Sequence, residues 1–314
     1  MTRAYVFPGQ GSQAVGMGKE LAAAFSDARE VFAEVDDAVK QDLSKLMFDG
    51  PPETLILTEN AQPALMAVSA AVVRILEKQG NVSIRHTAHC VAGHSLGEYS
   101  ALAAAGSLTL SDTARLLKTR GQAMQKAVPV GEGAMAVLLG LELDQAQDVA
   151  REASGSGEIC ATANDNAPGQ VVVSGHRAAV ERAIELAKAR GGRRAMLLPV
   201  SAPFHCPLMK PAADVMANAL SQVTIKSPSL PVIANVTAAA VIDPIEIRRL
   251  LVEQVTAMVR WRESVRAMKD AGVDTLVELG SGKVLTGLAK RIDGDLTGIS
   301  LQAPQDIEDF LKRT

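Results

Sequence analysis

The pattern of apolar and polar residues along the chain predicts short buried strands separated by amphipathic helices. Apolar runs of about four to eight residues, bounded by glycine, proline or asparagine, are typical of strands covered on both faces. Apolar residues that recur every three or four positions, as in residues 61–79, predict helices. Because strands and helices alternate, we expect an α/β fold with a parallel sheet between helices. The predicted strands are residues 4–7, 134–139, 159–163, 170–174, 194–200, 232–235, 275–279 and 297–301, with one more directly before Gly93.

The middle of the chain has its own order of elements. From residue 129 to residue 200 the predicted order is strand, helix, strand, strand, helix, strand, which is the order of the ferredoxin-like split unit. We therefore expect a ferredoxin-like domain, residues 129–200, inserted into a larger domain formed by residues 1–128 and 201–314. A turn is expected at residues 164–169, where asparagine, aspartate, proline and glycine cluster.

A strand, a sharp turn and a helix are predicted around Ser95. The sequence Gly93-His94-Ser95-Leu96-Gly97 has the G-x-S-x-G spacing of a nucleophile elbow, which exposes its serine above the sheet edge. Glycine is expected on both sides because strand and helix nearly touch there, and a Cβ atom would clash. The N-terminus of the following helix would stabilise an oxyanion beside the serine. Ser95 is thus the candidate nucleophile, and a chance glycine-rich turn is the alternative.

Composition narrows the classes of function. Of 314 residues, 47% are hydrophobic and 3% aromatic, so the core must consist mainly of alanine, valine and leucine. The net charge of −3 argues against a nucleic-acid-binding protein. No apolar run approaches the ~18 residues of a membrane span, and the N-terminal strand is too short for a signal peptide. Three cysteines without C-x-x-C spacing argue against a disulfide framework, so we expect a cytoplasmic location.

The loop after the first strand fits a nucleotide-binding pattern only in part. Gly9-x-Gly11-x-x-Ala14 matches the dinucleotide fingerprint, but a helical pattern follows and no second strand comes promptly. A non-enzymatic dinucleotide-binding module is therefore a minor alternative. Such a loop can also bring backbone N–H groups and the amide of Gln10 beside a site.

A serine nucleophile needs a base, which is usually histidine. His205 follows a strand end on a proline-flanked loop, and the carboxyl ends of parallel strands meet at one sheet edge, which makes it the best of five histidines. His94 is expected to point away from Ser95, and His176 to cap a helix. No acidic residue lies within several positions of His205, although a hydrolase would carry one to orient its base. This favours transfer to a thiol, pKa ~8.5, over attack by water, pKa ~15.7.

The serine elbow and the loop that carries His205, together with four other segments of the chain, resemble the malonyl-CoA:acyl carrier protein transacylase family, most closely the stand-alone type of bacterial fatty acid synthesis. The resemblance covers nearly the whole chain in order. One departure is Ser281, where the family pattern has proline, and it touches no predicted catalytic role. The matching segments are residues 7–13, the elbow at 93–99, Arg120, residues 201–205, Gln254 before Trp261, and residues 280–285.

The resemblance implies an α/β-hydrolase-like domain interrupted by the ferredoxin-like one, and a ping-pong reaction. Ser95 would attack the thioester of malonyl-CoA with His205 as base, and the malonyl group would pass to the phosphopantetheine thiol of acyl carrier protein. Backbone N–H groups of Leu96 and Gln10 would hold the oxyanion, each worth roughly 3 kcal/mol. The carbonyl of Gln254 would orient His205. No metal or cofactor is implied.

The resemblance also implies substrate contacts. Arg120 would hold the free carboxylate of malonate bidentately; with an acetyl group it would stay buried and unpaired, at a cost on the order of 2–5 kcal/mol. Phe204 would crowd the α-carbon and so favour malonyl over methylmalonyl. Asn164 is a weaker candidate for a residue at the cleft expected between the two domains, since formation of the predicted turn is the preferred explanation for an asparagine there. The protein is expected to be a monomer, and the basic residues proposed to meet an acidic carrier protein are Arg193, Arg194, Lys210 and Lys283.

Several other functions are compatible with parts of this pattern. The elbow alone would also suit a serine thioesterase or esterase. Within the family, an acyltransferase for polyketide synthesis or malonate decarboxylation would have the same residues.

Overall fold

A computed structural model of the chain describes residues 2–155 and 157–313. The strands are Arg3–Phe7 (β1), Cys90–Gly93 (β2), Gly133–Leu139 (β3), Cys160–Ala167 (β4), Gln170–His176 (β5), Arg194–Leu197 (β6), Val232–Ile233 (β7), Ala240–Val241 (β8), Thr275–Leu279 (β9) and Thr297–Leu301 (β10). The helices are Lys19–Ala24 (α1), Ser26–Val39 (α2), Leu43–Asp49 (α3), Pro52–Leu55 (α4), Thr58–Lys78 (α5), Ile84–Thr87 (α6), Gly97–Ala104 (α7), Leu110–Lys126 (α8), Leu143–Ala153 (α9), Arg177–Ala189 (α10), Lys210–Ser221 (α11), Pro244–Glu253 (α12), Trp261–Asp270 (α13), Val284–Ile292 (α14) and Pro304–Leu311 (α15). None of the helices within residues 2–155 and 157–313 is long and apolar enough to cross a membrane.

The larger of the two sheets in the described residues has six strands in the order β10-β9-β1-β2-β7-β8. The pairs from β10 to β7 are parallel, and β8 is antiparallel to β7. The central strand β1 is buried almost throughout, as expected for a strand covered on both faces. The predicted parallel sheet of an α/β fold is therefore confirmed.

A separate antiparallel sheet has four strands in the order β4-β5-β3-β6. Its elements follow one another as β3, α9, β4, β5, α10 and β6, as the sequence predicted. Alanine and valine side chains from both helices and three of the strands form a small core of their own, which includes Ala136, Val149, Val173, Val180 and Ala183. The smaller sheet thus has its own apolar cluster beneath its helices.

The predicted turn at residues 164–169 is wrong for most of its length. Strand β4 continues to Ala167, with two register shifts against β5, and the turn is confined to Pro168 and Gly169. The extension is explained by pairing with the part of the molecule that contains the six-stranded sheet, called the larger part below; the part with the four-stranded sheet is the smaller part. Asp165 N donates to Val259 O at 3.0 Å, and Val259 N donates to Ala163 O at 2.9 Å. Local turn propensity is overridden here by a long-range backbone pairing.

An ion pair strengthens this junction between the two sheets. Asp165 is fully buried, and its carboxylate accepts a hydrogen bond from Arg262 Nε at 2.8 Å. Arg262 lies on α13 of the larger part and also contacts Glu142 of the smaller part at 3.1 Å. The smaller sheet is therefore fixed beside the larger one by both backbone and side-chain contacts.

Candidate active site

Ser95 lies on a strained turn between β2 and α7. Its φ of 54° is unusual for a residue with a side chain. A Cβ atom on Gly93 would lie 1.9 Å from the backbone of Gly97, and one on Gly97 would lie 2.2 Å from Phe7 O, so both positions require glycine. The strained backbone is held from both sides, because Ser95 N donates to Asn235 Oδ1 at 2.7 Å and Ser95 O accepts from Gln254 Nε2 at 3.0 Å.

His205 is buried and lies against the serine, with Nε2 2.7 Å from Ser95 Oγ. Its backbone is also in the left-handed region, at φ 57°. The other ring nitrogen, Nδ1, donates to the backbone oxygen of Gln254 at 2.9 Å, which leaves Nε2 free to accept the serine proton. Burial, and secondarily the positive charge of Arg120, lower the pKa of His205 to about 3. The imidazole is therefore neutral at physiological pH and can act as a base.

Arg120, on α8, brings a positive charge to the same serine. Its side chain is 1% exposed, and Nη2 donates to Ser95 Oγ at 3.1 Å and to Gln254 Oε1 at 2.9 Å. Nη1 donates to Gln62 Oε1 at 2.8 Å. Each of these acceptors is uncharged, and Arg120 forms no ion pair within residues 2–155 and 157–313. Burial lowers the pKa of Arg120, and the nearby carboxyl of Glu98 partly offsets this without forming a direct ion pair, so the guanidinium is desolvated and these hydrogen-bond acceptors are all neutral.

The two predicted oxyanion donors, Leu96 and Gln10, also lie close to Ser95. Leu96 follows the serine directly, and Gln10 follows β1 on a loop that packs against the elbow. A Cβ atom on Gly9 would lie 2.7 Å from His94 O, so glycine allows this close approach. In the described part of the chain, the backbone N–H groups of Leu96 and Gln10 have no hydrogen-bond acceptor. They are free to donate to a ligand, and their role stays a prediction.

A cleft of about 430 Å³ opens onto Ser95 and is bordered by both sheets. Phe204 and Asn164, two further predicted residues, line it, whereas the fully buried Gln254 lies behind Arg120 and His205. Much of the remaining lining is apolar. It includes Ile56, Met124, Met135, Val172, Leu198, Pro199 and Val200.

The basic residues predicted to meet a carrier protein are all exposed but do not line the cleft. They are Arg193, Arg194, Lys210 and Lys283. Lys210 forms an ion pair with Asp214 one helical turn away. Their proposed role stays a prediction.

The structure also bears on the expectations for two other histidines, and the one for His176 is wrong. His94 makes no contact with Ser95 Oγ among the described hydrogen bonds, as expected, but it lines the cleft, and its Nε2 lies 2.9 Å from Asn166 Oδ1. His176 does stand before α10, yet it does not cap the helix. Its Nδ1 accepts from Ile159 N at 2.9 Å, because the neighbouring strand offers this backbone N–H nearby.

Sequence reasoning missed four polar residues of the site. Gln62 contacts Arg120, Asn166 contacts His94, and Asn235 contacts the backbone of Ser95. Glu98 is 2% exposed, and burial raises its pKa to about 7. Glu98 was detectable as the acidic residue in the first turn after the elbow, whereas the other three have no local signal because their partners are distant in sequence.

Comparisons with known proteins agree on one family. The model of the acyl transferase domain matches residues 4–291. The malonyl CoA-acyl carrier protein transacylase of Escherichia coli strain K12 is 46% identical over 301 residues, which cover 96% of each chain. The crystal structure of an acyl-carrier-protein S-malonyltransferase from Bartonella henselae is similar with a TM-score of 0.97 and 53% identity, over 100% of this chain and 99% of the other. The structure of a type II polyketide-synthase acyl-carrier protein in complex with its malonyl-transacylase is similar with a TM-score of 0.96 and 42% identity, over 100% of both chains.

Proposed function

The chain belongs to the acyl transferase family, and from this premise we propose that it moves a malonyl group from malonyl-CoA to the thiol of an acyl carrier protein. The named relatives are malonyl transacylases that match over nearly their whole length. One similar structure contains an acyl-carrier protein bound to its transacylase, which supports the same class of acceptor here. The corresponding enzyme is a malonyl-CoA:acyl carrier protein S-malonyltransferase.

The observation that carries this proposal is the buried guanidinium of Arg120 beside Ser95. Nη2 lies 3.1 Å from the nucleophilic oxygen, and within the described residues the side chain donates hydrogen bonds to neutral acceptors and forms no direct ion pair. A malonyl group attached to Ser95 would place its free carboxylate within reach of this cation. Charge-assisted hydrogen bonds would then compensate the desolvated charge, whereas an acetyl group could not.

The proposed acylation starts with proton transfer from Ser95 Oγ to His205 Nε2. The serine oxygen attacks the thioester carbonyl, and the resulting oxyanion accepts hydrogen bonds from the backbone N–H groups of Leu96 and Gln10. The C–S bond breaks, and the CoA sulfur takes the proton from His205. The carbonyl of Gln254 keeps the Nδ1 proton in place throughout.

The second half reverses the roles with a new thiol. His205 Nε2 accepts the proton of the phosphopantetheine thiol, and the sulfur attacks the malonyl ester on Ser95. When the C–O bond breaks, the serine oxygen recovers its proton from His205. Phe204 lines the cleft next to the base, and we propose that its ring limits branching at the malonyl α-carbon.

We further propose that the larger part is α/β-hydrolase-like and that residues 129–200 form a ferredoxin-like insertion between residues 1–128 and 201–314. The strand-turn-helix at Ser95 and the parallel sheet support the first description. The element order of the smaller sheet and its separate apolar cluster support the second.

We place the reaction in fatty acid synthesis in the cytoplasm, carried out by a monomer. The acyl carrier protein in the names of the curated relatives supports the pathway, and the three free, buried cysteines are compatible with a reducing compartment. Polyketide synthesis is the second candidate, because one similar structure holds a polyketide carrier protein. Comparing kcat/KM for carrier proteins of the two pathways separates them, and light scattering tests the monomer.

Mass spectrometry after incubation with isotopically labelled malonyl-CoA tests the reaction. A malonyl adduct on the Ser95 peptide is expected, together with its discharge when carrier protein is added. Ser95→Ala is the control and should remain unlabelled. An adduct elsewhere, or rapid release of free malonate without carrier protein, would contradict transfer and favour a thioesterase.

A further inference from the structure

Glu98 lies inside the active-site region without touching the cleft. It is the second residue of α7, and the carboxylate is buried. One oxygen, Oε2, accepts two hydrogen bonds, from Asn235 N at 3.0 Å and from Gln254 Nε2 at 2.8 Å. The carboxylate therefore ties the loop after β7 and the end of α12 to the helix that follows the nucleophile.

The side-chain amide of Gln254 can adopt only one orientation in these surroundings. Its oxygen faces Arg120, which can only donate, and its nitrogen faces the oxygens of Glu98 and Ser95, which accept. A flipped amide would oppose donor to donor and acceptor to acceptor. Glu98 contributes the shortest of the hydrogen bonds that hold the nitrogen side, at 2.8 Å.

Gln254 in turn contacts both reactive partners of Ser95. Its backbone oxygen accepts from His205 Nδ1, and its side-chain oxygen accepts from Arg120 Nη2. A displacement of this one residue would move the base and the guanidinium together. Asn235, the other residue held by Glu98, accepts the backbone N–H of Ser95.

We infer that Glu98 is a positioning residue for malonyl transfer: through Gln254 and Asn235, its carboxylate fixes the nucleophile, the base and the carboxylate-binding guanidinium relative to one another. This inference rests on the function proposed above. This role requires an acceptor oxygen at a fixed distance from the backbone of α7, since both hydrogen bonds go to the same atom, Oε2.

Two conservative variants separate reach from charge. Glu98→Gln keeps an acceptor oxygen at the same distance but removes the charge, whereas Glu98→Asp keeps the charge and withdraws the oxygen by one methylene. We expect Glu98→Asp to lower the rate of Ser95 malonylation per active site on the order of 10- to 100-fold, because small misplacements of reacting groups are costly. Glu98→Gln should recover most of that rate.

The measurement is single-turnover formation of malonyl-Ser95, normalised to the number of serines that can be labelled, with malonyl-CoA and acetyl-CoA compared. Glu98→Asp should also lower the malonyl-to-acetyl preference, because Arg120 loses its fixed orientation. Destabilisation alone would reduce the labelled fraction and leave both quantities unchanged. Glu278→Asp is the matched control: this buried carboxylate holds Leu285 N and Thr286 N at the start of α14, away from the cleft.

Wild-type labelling separates failure of this inference from failure of the proposed function. If wild-type protein does not form malonyl-Ser95, the proposed function fails, and the positioning role fails with it. If wild-type protein is labelled but Glu98→Asp matches it in rate and preference, only the positioning role is overturned. A larger loss in Glu98→Gln than in Glu98→Asp would also overturn it, since charge rather than reach would then be required.

Discussion

The two sheets border the same cleft, but the larger part supplies most of its polar groups and the smaller part supplies mainly apolar side chains. Ser95, His205 and Arg120 all belong to the larger part. From the smaller part, Met135 and Val172 contribute apolar surface, and the segment 198–200 adds more. The backbone strain follows the same division, because the positive φ angles within the reactive group occur at Ser95 and His205.

This difference shows how one cleft can combine reactive groups in fixed positions with an apolar lining that tolerates substitution. Reactive groups must keep their positions within fractions of an ångström, so they are held by hydrogen bonds with Gln62, Asn235 and Gln254, which lie on helices and loops around the parallel sheet. An apolar wall only has to exclude water and match the ligand in shape. We therefore expect substitutions of the polar groups that the larger part contributes to the cleft to change rates, and those of the apolar lining from the smaller part to change stability or affinity.

Removing the base should give the largest effect. Because His205 Nε2 lies 2.7 Å from Ser95 Oγ and is the proposed base, we expect His205→Ala to reduce malonyl-enzyme formation by about 10²- to 10⁴-fold. Stopped-flow or quench-flow measurement of labelled Ser95 gives this rate. The matched control in the smaller part is His176→Ala, which removes an acceptor for Ile159 N and should leave the rate unchanged. Equal losses in both variants would contradict the division between the two parts.

Breaking the junction between the parts should affect stability instead. Arg262→Met leaves the buried carboxylate of Asp165 without its cation, and such a change typically costs about 3–5 kcal/mol in the free energy of unfolding. Urea unfolding followed by circular dichroism measures the loss. Arg151→Met is the control, because its pair with Asp148 is exposed and is expected to contribute about 0–1 kcal/mol. An unchanged unfolding midpoint in Arg262→Met would show that the junction does not depend on this ion pair.

Arg120 should determine which acyl group is used. Arg120→Ala removes the cation that would pair with malonate. We therefore expect kcat/KM for malonyl-CoA to fall by an amount equivalent to about 2–5 kcal/mol, whereas kcat/KM for acetyl-CoA should change little. The measured quantity is the ratio of kcat/KM for malonyl-CoA and acetyl-CoA. Arg115→Ala, an exposed position on the same helix, is the control. Parallel losses for both substrates would remove the carboxylate-binding role.

Phe204 should give a smaller change in selectivity. Phe204→Ala opens space beside the base, and a steric contact of this kind is worth about 1–3 kcal/mol between malonyl and methylmalonyl groups. Competition between the two CoA esters, read by mass spectrometry of the Ser95 peptide, gives the preference. If methylmalonyl gains nothing, the ring does not limit branching.

The pH dependence should show the smallest effect. With the pKa of His205 lowered to about 3, the imidazole stays neutral, so acylation should not decline through its protonation between about pH 7 and about pH 5. A decline with an apparent pKa near the ordinary ~6.5 would contradict this. Glu98→Gln is the necessary control, since the pKa of Glu98 is raised to about 7 and its titration falls in the same range.

The sign of the accompanying stability effect follows from the same lowered pKa of His205. Below about pH 6.5 the unfolded chain binds a proton at this histidine and the folded chain does not. Stability from the neutral imidazole is thus fully present above about pH 6.5 and is lost as the pH falls towards 3. Comparing unfolding of wild type and His205→Ala across this range isolates the contribution.

The sequence by itself determined the α/β class, the separate strand-rich segment in the middle, and the elbow. These features depend on short-range rules: apolar periodicity sets the elements, and the steric clash of a Cβ atom fixes glycine two residues before and after Ser95. The resemblance added the residues that could act together. It could not add their environment.

Only the tertiary structure decided how those residues are held. Gln254 lies 159 positions from Ser95 and contacts its backbone, and Asn235 lies 140 positions away and does the same. The end of β4 likewise depends on pairing with Val259, against its local turn propensity. Such contacts form between segments that no local pattern relates, because the free energy of a buried polar network depends on the three-dimensional arrangement of all its partners.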